Sequence, residues 1–148
     1  MIQLVEYSNP HHRQAVIDLW NGTFGYETAH NTPSLAIDRK LAVDDGLFFV
    51  ALAEGQVIGT LMAGYDGHRG WLYALAVDPQ QRRLGIGRAL VQHGEQALQA
   101  RGCLKINLQI LSSNAPVQDF YQALGYQAEP RISMGKLITA NIPEHLQG

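Results

Sequence analysis

Hydrophobic and polar positions change their period several times along the chain, and each change predicts an element. Ile2, Leu4 and Tyr7 alternate with polar neighbours, which predicts a short half-buried strand. Asn9-Pro10 then reads as a helix entry, with Asn9 as N-cap and Ala15, Val16, Leu19 and Trp20 at helical spacing up to Gly22. Residues 23–31 are irregular and mix aromatic with titratable groups. Thr32-Pro33 opens a second helix, with Leu35 and Leu41 periodic, and Asp44-Asp45-Gly46 closes it. Strands over 47–53 and 57–64 join at Glu54-Gly55-Gln56, a hairpin signal. A glycine-rich turn, Gly64-Tyr65-Asp66-Gly67-His68-Arg69-Gly70, leads to a strand over 71–77.

The strongest amphipathic pattern follows. Between 88 and 101, with Ile86 just before it, Ile86, Leu90, Ala97 and Leu98 face one way and Arg88, Gln92, Glu95, Gln96 and Gln99 the other, and Gly102 stops the helix. A strand over 105–111 comes next. Strand, long helix, strand is a crossover, so the strands over 71–77 and 105–111 should be parallel. Ser112-Ser113-Asn114 caps a helix over 115–124, Gly125 ends it, Tyr126 starts a strand and 132–137 forms another. Residues from about 139 to 148 read as a mobile tail.

The chemistry concentrates where the strand over 71–77 meets the long helix. Asp78-Pro79 stops the strand, and Gln80-Gln81-Arg82-Arg83-Leu84-Gly85-Ile86-Gly87 connects it to the helix start. A helix start leaves about four backbone N–H groups without partners and carries the positive end of the helix dipole. Gly85 and Gly87 let a ligand approach those donors, and Arg82, Arg83 and Arg88 add positive charge. A tight strand-to-helix turn explains the same glycines without a ligand. Neither the nucleotide loop Gly-x-x-x-x-Gly-Lys-Ser/Thr nor Gly-x-Gly-x-x-Gly with a following acidic residue is present.

Composition narrows the classes. The 148 residues suit one domain, 1–148, with a real core, and 46% hydrophobic with 16% charged residues describe a soluble globular protein. A net charge of -2 gives no global attraction to nucleic acid or anionic membrane, so the local arginines suit a small anion. Cys103, the single cysteine, excludes an internal disulfide and reads as a buried structural thiol. No apolar run reaches membrane-spanning length, so the expected location is the cytoplasm. His11 and His12 are adjacent and do not share a helix face, which argues against a metal there.

Val77-Asp78-Pro79 followed by Arg82-Arg83-Leu84-Gly85-Ile86-Gly87 resembles motif A of the GNAT acetyltransferases, Gln/Arg-x-x-Gly-x-Gly/Ala after a strand. A second stretch resembles the family's other signature: Asn114, then Tyr121 seven residues on, then Leu124-Gly125-Tyr126. Together they cover nearly the whole chain. The hairpin turn resembles that of a small bacterial branch. The resemblance implies an α/β GNAT fold: a mixed, mainly antiparallel sheet of six or seven strands with helices on both faces.

It also implies acetyl-CoA as co-substrate, with no metal. The diphosphate would meet Arg82, Arg83, Leu84, Gly85, Ile86, Gly87 and Arg88. The backbone of Leu75, Ala76 and Val77 would meet pantetheine, with a splay or bulge opening an acyl slot. Asn114 would bond the pantetheine amides, though capping its own helix competes for the same oxygen. Tyr121 would be the general acid toward the departing sulfur, since a phenol stays protonated at neutral pH. Packing under the sheet is its plainer role.

The general base departs from the family pattern. Trp71 stands where many members carry Glu, and Gln109 stands where N-terminal acetyltransferases carry Glu five residues before the Asn. Candidates by chemistry are His68, Glu27 and Asp66, with Tyr73 as a positioning group. The expected activity is direct transfer of an acetyl group to a primary amine of a small molecule, an amino acid or a protein. The alternative is a catalytically silent acyl-CoA-binding regulatory module. No nucleic-acid or membrane partner is expected, and a homodimer would follow family habit.

Overall fold

Five strands form one sheet in chain order: β1 (Ile2–Glu6), β2 (Phe48–Ala53), β3 (Gln56–Tyr65), β4 (Gly70–Val77) and β5 (Ile106–Leu108). β1 to β4 pair antiparallel, and β5 joins β4 parallel, as the crossover requires. The computed structural model describes residues 1–24, 31–82 and 84–146. The chain forms two units, Met1–Leu108 and Gln109–Gly148.

In the first unit the sheet carries helices on both faces, and the alternation of β3 shows how. Leu61 packs toward α3 (Ile86–Ala100), where it lies against Gly94. Thr60 and Met62 point the other way, toward α1 (Arg13–Phe24) and α2 (Pro33–Val43). There Tyr7, Val16, Trp20, Ile37, Phe48, Val50, Met62 and Ala76 make one buried cluster, with Tyr7 stacked on Phe48 at 4.3 Å.

α3 seats against the sheet at points where a glycine leaves room for the facing side chain. A Cβ on Gly59 would lie 2.9 Å from Leu90 Cδ1, one on Gly94 2.7 Å from Leu61 Cδ2, and one on Gly70 2.8 Å from Cys103 Sγ. Cys103 is thus a packing residue, half-buried, and its Sγ lies 3.3 Å from the Lys105 carbonyl.

Lys40 is buried on α2, which its sequence position does not suggest. Past the end of β2 one main-chain bond continues, Ala63 N–H to Leu47 O, and side chains take the reciprocal groups: Leu47 N–H donates to Asp45 Oδ1, and Lys40 Nζ donates to both Asp45 Oδ2 and Ala63 O. Every buried polar group in that circuit has a partner, and the ammonium is paired with a carboxylate at 2.9 Å.

Several expected boundaries are corrected. Asn9 does not cap a helix: its Oδ1 accepts from Tyr7 OH at 2.8 Å and Arg13 Nη1 at 3.2 Å, and α1 begins at Arg13. Gly22 does not end α1, which continues to Phe24. β5 is three residues long, shorter than the expected 105–111. The expected strands from Tyr126 and over 132–137 do not form. Ile132 and Met134 there are almost fully exposed. Alternating apolar letters choose a face, but a strand also needs a ladder partner, so the described sheet has five strands rather than six or seven.

In the second unit, α4 (Ala115–Ala123) starts at Asn114 as expected. The expected tail contains two short 3-10 turns, Thr139–Asn141 and Glu144–Leu146, and buries Ile142.

Candidate functional site

β4 carries one residue too many for its partner. Tyr73 pairs with Met62 and Ala76 with Thr60, so Ala74 and Leu75 together oppose Leu61. This is a β-bulge, and Ala74 adopts a left-handed backbone, φ +54°, in spite of its Cβ. Its carbonyl accepts from Thr60 Oγ1 at 2.9 Å, and Thr60 Oγ1 accepts from Trp20 Nε1 at 2.9 Å. The expected interruption of this strand is therefore present, at Ala74 and Leu75.

β5 covers β4 only from Gly70 to Leu72. Beyond it, Tyr73 to Val77 have no sheet partner on that side among the described residues. Backbone donors and acceptors at Leu75, Ala76 and Val77 thus line a free strand edge. Asp78 ends the strand: its N–H donates to Ile58 O at 2.8 Å, and its carboxylate accepts from Gln80 N–H at 2.9 Å.

The chain then reaches α3 through Gly85, φ +74°, which begins the helix with no side-chain cap. A left-handed start suits glycine and leaves the first-turn N–H groups of Ile86, Gly87 and Arg88 without a capping oxygen. No acidic residue sits in that first turn to quench the dipole. Arg82, Leu84 and Arg88 are exposed, and Arg83 lies outside the described residues. The position of a Gly59 Cβ lies 3.2 Å from Ala76 O and 3.3 Å from Ile86 Cγ2. The end of β4 and the start of α3 therefore meet above Gly59. The expected backbone residues and the glycine loop come together there.

His68 and Asp66 lie at the hairpin end of β4, away from this junction. His68 is exposed in the β3–β4 turn, six residues before Ala74, or about 20 Å along an extended strand. Asp66 accepts the N–H groups of His68 and Arg69, each at 2.8 Å, and Trp71 Nε1 at 3.4 Å. Those bonds, Arg69 first, hold its carboxyl below the usual range, which makes it a turn organiser and a weak base. Tyr73 is 44% exposed, lies across Gly64, and has Lys40 Nζ 5.5 Å from its ring centroid. Glu27 lies outside the described residues.

In the second unit, Asn114 Oδ1 accepts Val117 N–H at 3.3 Å, so its oxygen is committed to the cap. Tyr121 is buried, with Phe120 and Tyr126 packed edge-on at 5.0 and 5.6 Å. Gly125, φ +98°, turns the chain so that Tyr126 N–H bonds Tyr121 O, which brings Tyr126 back onto Tyr121. Burial pushes the Tyr121 phenol up to about 12.

Sequence reasoning missed Thr60, Trp20 and Lys40. Thr60 had one usable signal: it is the lone polar letter in Val57-Ile58-Gly59-Thr60-Leu61-Met62, and a buried hydroxyl needs partners.

The mixed sheet, the bulged β4 and the uncapped start of α3 together frame the candidate site. A model of the Acetyltransferase (GNAT) family matches residues 13–126. The chain belongs to that family and is an acyltransferase. Among solved structures, it resembles the PaiA N-acetyltransferase of Thermoplasma acidophilum in complex with coenzyme A. That match has 18% identity and a TM-score of 0.76, covering 89% of this chain and 93% of that one. It also resembles the glucosamine-6-phosphate N-acetyltransferase of Arabidopsis thaliana, at 17% identity, TM-score 0.70, and coverage of 93% and 99%. A third resemblance is to AAC(6')-Iy bound to a CoA bisubstrate analogue, at 19% identity, TM-score 0.73, and coverage of 93% and 98%. Identities this low speak for the fold alone. Among the described residues, no helix is long and apolar enough to cross a membrane, and no group of three His, Cys, Asp or Glu could hold a metal ion.

Proposed function

We propose that this acyltransferase moves an acetyl group from acetyl-CoA to a primary amine by direct attack in a ternary complex. The observation that carries the reading is the pairing, within one unit, of an uncapped α3 start at Gly85 with the free, bulged edge of β4 at 73–77. The helix start supplies N–H donors and positive potential for a diphosphate. The strand edge supplies backbone partners for the two amides of a pantetheine arm. Arg82, Arg83 and Arg88 add charge, while Leu84, Ile86 and Gly87 complete the loop.

Tyr121 serves as the proton donor toward the departing sulfur. With its phenol up at about 12, it is a weaker acid than a thiol near 8.5. Its contribution is therefore a hydrogen bond to the developing thiolate more than complete proton transfer. Asn114, its oxygen held by the cap, would act on pantetheine through its Nδ2 hydrogens. His68 and Glu27 remain the base candidates, and an amine that arrives deprotonated needs neither.

The acceptor is a small-molecule amine in this reading. The glucosamine-6-phosphate N-acetyltransferase among the similar structures, named for a small amine acceptor, supports this reading. Calorimetry with acetyl-CoA, followed by thiol release across an amine panel, tests the proposal. Binding with turnover on at least one amine supports it. Tight binding with no turnover on any amine would make the protein an acyl-CoA-binding module instead.

A further inference from the structure

We propose that Thr60, held by the Trp20 indole, is a positioning residue for acyl transfer: it keeps the β4 bulge in place and so decides which peptide groups at 75–77 face the free strand edge. The inference rests on the acetyl-CoA reading above.

The chemistry of the three groups fixes the order of the relay. An indole N–H can only donate, and a peptide carbonyl can only accept. The Thr60 hydroxyl bridges them with a single proton, receiving from Trp20 and donating to Ala74 O, both at 2.9 Å. Thr60 is fully buried and Trp20 nearly so, so water does not substitute for either. Trp20 is itself held by Phe48, stacked at 6.0 Å with planes 18° apart.

The bulge needs such a support. Ala74 has a Cβ and still holds φ +54°, a conformation that persists only when the surroundings over-determine it. The extra residue also takes the Ala74 carbonyl out of regular pairing. Thr60 Oγ1 satisfies that oxygen from β3, the neighbouring strand, through the face that α1 covers.

The consequence for the site follows from period two. Along a strand, successive peptide groups point to opposite edges, so removing one residue from the pairing exchanges the N–H groups and carbonyls that face outward. With the bulge, one set of donors at Leu75, Ala76 and Val77 lines the edge beside the acyl slot. Without it, the other set does. The diphosphate grip is built separately, at the start of α3, and does not depend on this relay.

The test compares Thr60→Val, Thr60→Ser and Trp20→Phe with the parent in the full chain. Thr60→Val keeps the shape and removes the hydroxyl; kcat should fall about 30-fold, while the Kd for ADP, which tests the α3 diphosphate grip without a pantetheine arm, stays within about threefold. Thr60→Ser should restore kcat to within about threefold of the parent, because it restores the bridge. Trp20→Phe, which leaves the bond to Ala74 intact, should fall between them. Amide exchange over 72–78, read by mass spectrometry, should quicken about tenfold in Thr60→Val, with β1 and β2 unchanged.

A folded Thr60→Val with kcat within threefold of the parent would overturn the proposal. So would equal impairment of Thr60→Val and Thr60→Ser, which would assign the effect to packing. If the parent turns over no amine, the transferase reading fails and the exchange measurement alone decides the role of Thr60: unchanged exchange over 72–78 refutes it.

Discussion

At the hairpin end of β4, the Asp66 carboxylate takes up the N–H groups of His68 and Arg69; at the other end, Gly85 opens α3 with no side chain accepting from its first turn. Both ends are glycine-bearing and carry arginine. The difference lies in where the backbone donors go. A turn that bonds its own N–H groups is locally complete and has little left for a ligand. A helix start with glycine at its cap keeps its donors for something outside the chain. Ligand capacity therefore follows from unsatisfied backbone more than from the number of charged letters.

The comparison can be broken at either end. The largest effect is expected from Gly85→Val, since a β-branched residue is strained at φ +74° and covers the donors. The acetyl-CoA Kd should rise about 100-fold by calorimetry, or about 2.7 kcal/mol. An unchanged Kd would mean that the helix start is an ordinary turn.

Tyr121→Phe should lower kcat about 30-fold and leave Kd nearly unchanged, separating acyl transfer from the diphosphate grip. The rate of the parent should show no alkaline loss from this phenol below about pH 11, given its value of about 12. The same raised value has a stability consequence. The neutral phenol supports the fold fully below about pH 10, and that support is lost as pH rises through about 12. Urea titrations at intervals across that window should show the decline in the parent and not in the Phe variant.

Gly59→Ala is expected to be milder. Its Cβ would crowd Leu90 Cδ1 and the Ala76 carbonyl, lifting the start of α3 and costing about 1–2 kcal/mol in urea denaturation. A weaker acetyl-CoA affinity should accompany the loss. If stability falls and affinity does not, the seating of α3 is not what aims its donors.

Asp66→Asn sharpens the contrast from the other side and should have the smallest effect on binding, with Kd within about twofold. Its effect belongs to the turn: exchange at the His68 and Arg69 amides should quicken. Because the folded carboxyl is held below its ordinary value, the turn's support is present above about pH 4 and lost as pH falls through that lowered value.

Much of this was legible in the sequence, for identifiable reasons. α3 and its loop were readable because 3.6-residue periodicity and a glycine pair are local properties, and the helix over 115–124 was readable from Asn114, Pro116 and Gly125. The strand over 132–137 was misread because apolar Ile132 and Met134 say nothing about who supplies the ladder. The bulge was foreseen as chemistry, but Ala74 carries no mark of its left-handed backbone, which usually falls to Gly or Asn. The relay from Trp20 and the circuit around Lys40 join residues far apart in the chain, and no window of neighbouring letters contains them.

The flush contact between α3 and the sheet has a mechanical outcome. Gly59, Gly94 and Gly70 touch down along the helix at Leu90, at Gly94 itself, and at Leu98 with Cys103. Three points of support in a row fix a rod's height and tilt at once. The end of the rod that carries the free amides keeps its elevation over the strands. A binding element made of main chain thereby acquires the steadiness of a keyed shaft, without any loop having to be stiff.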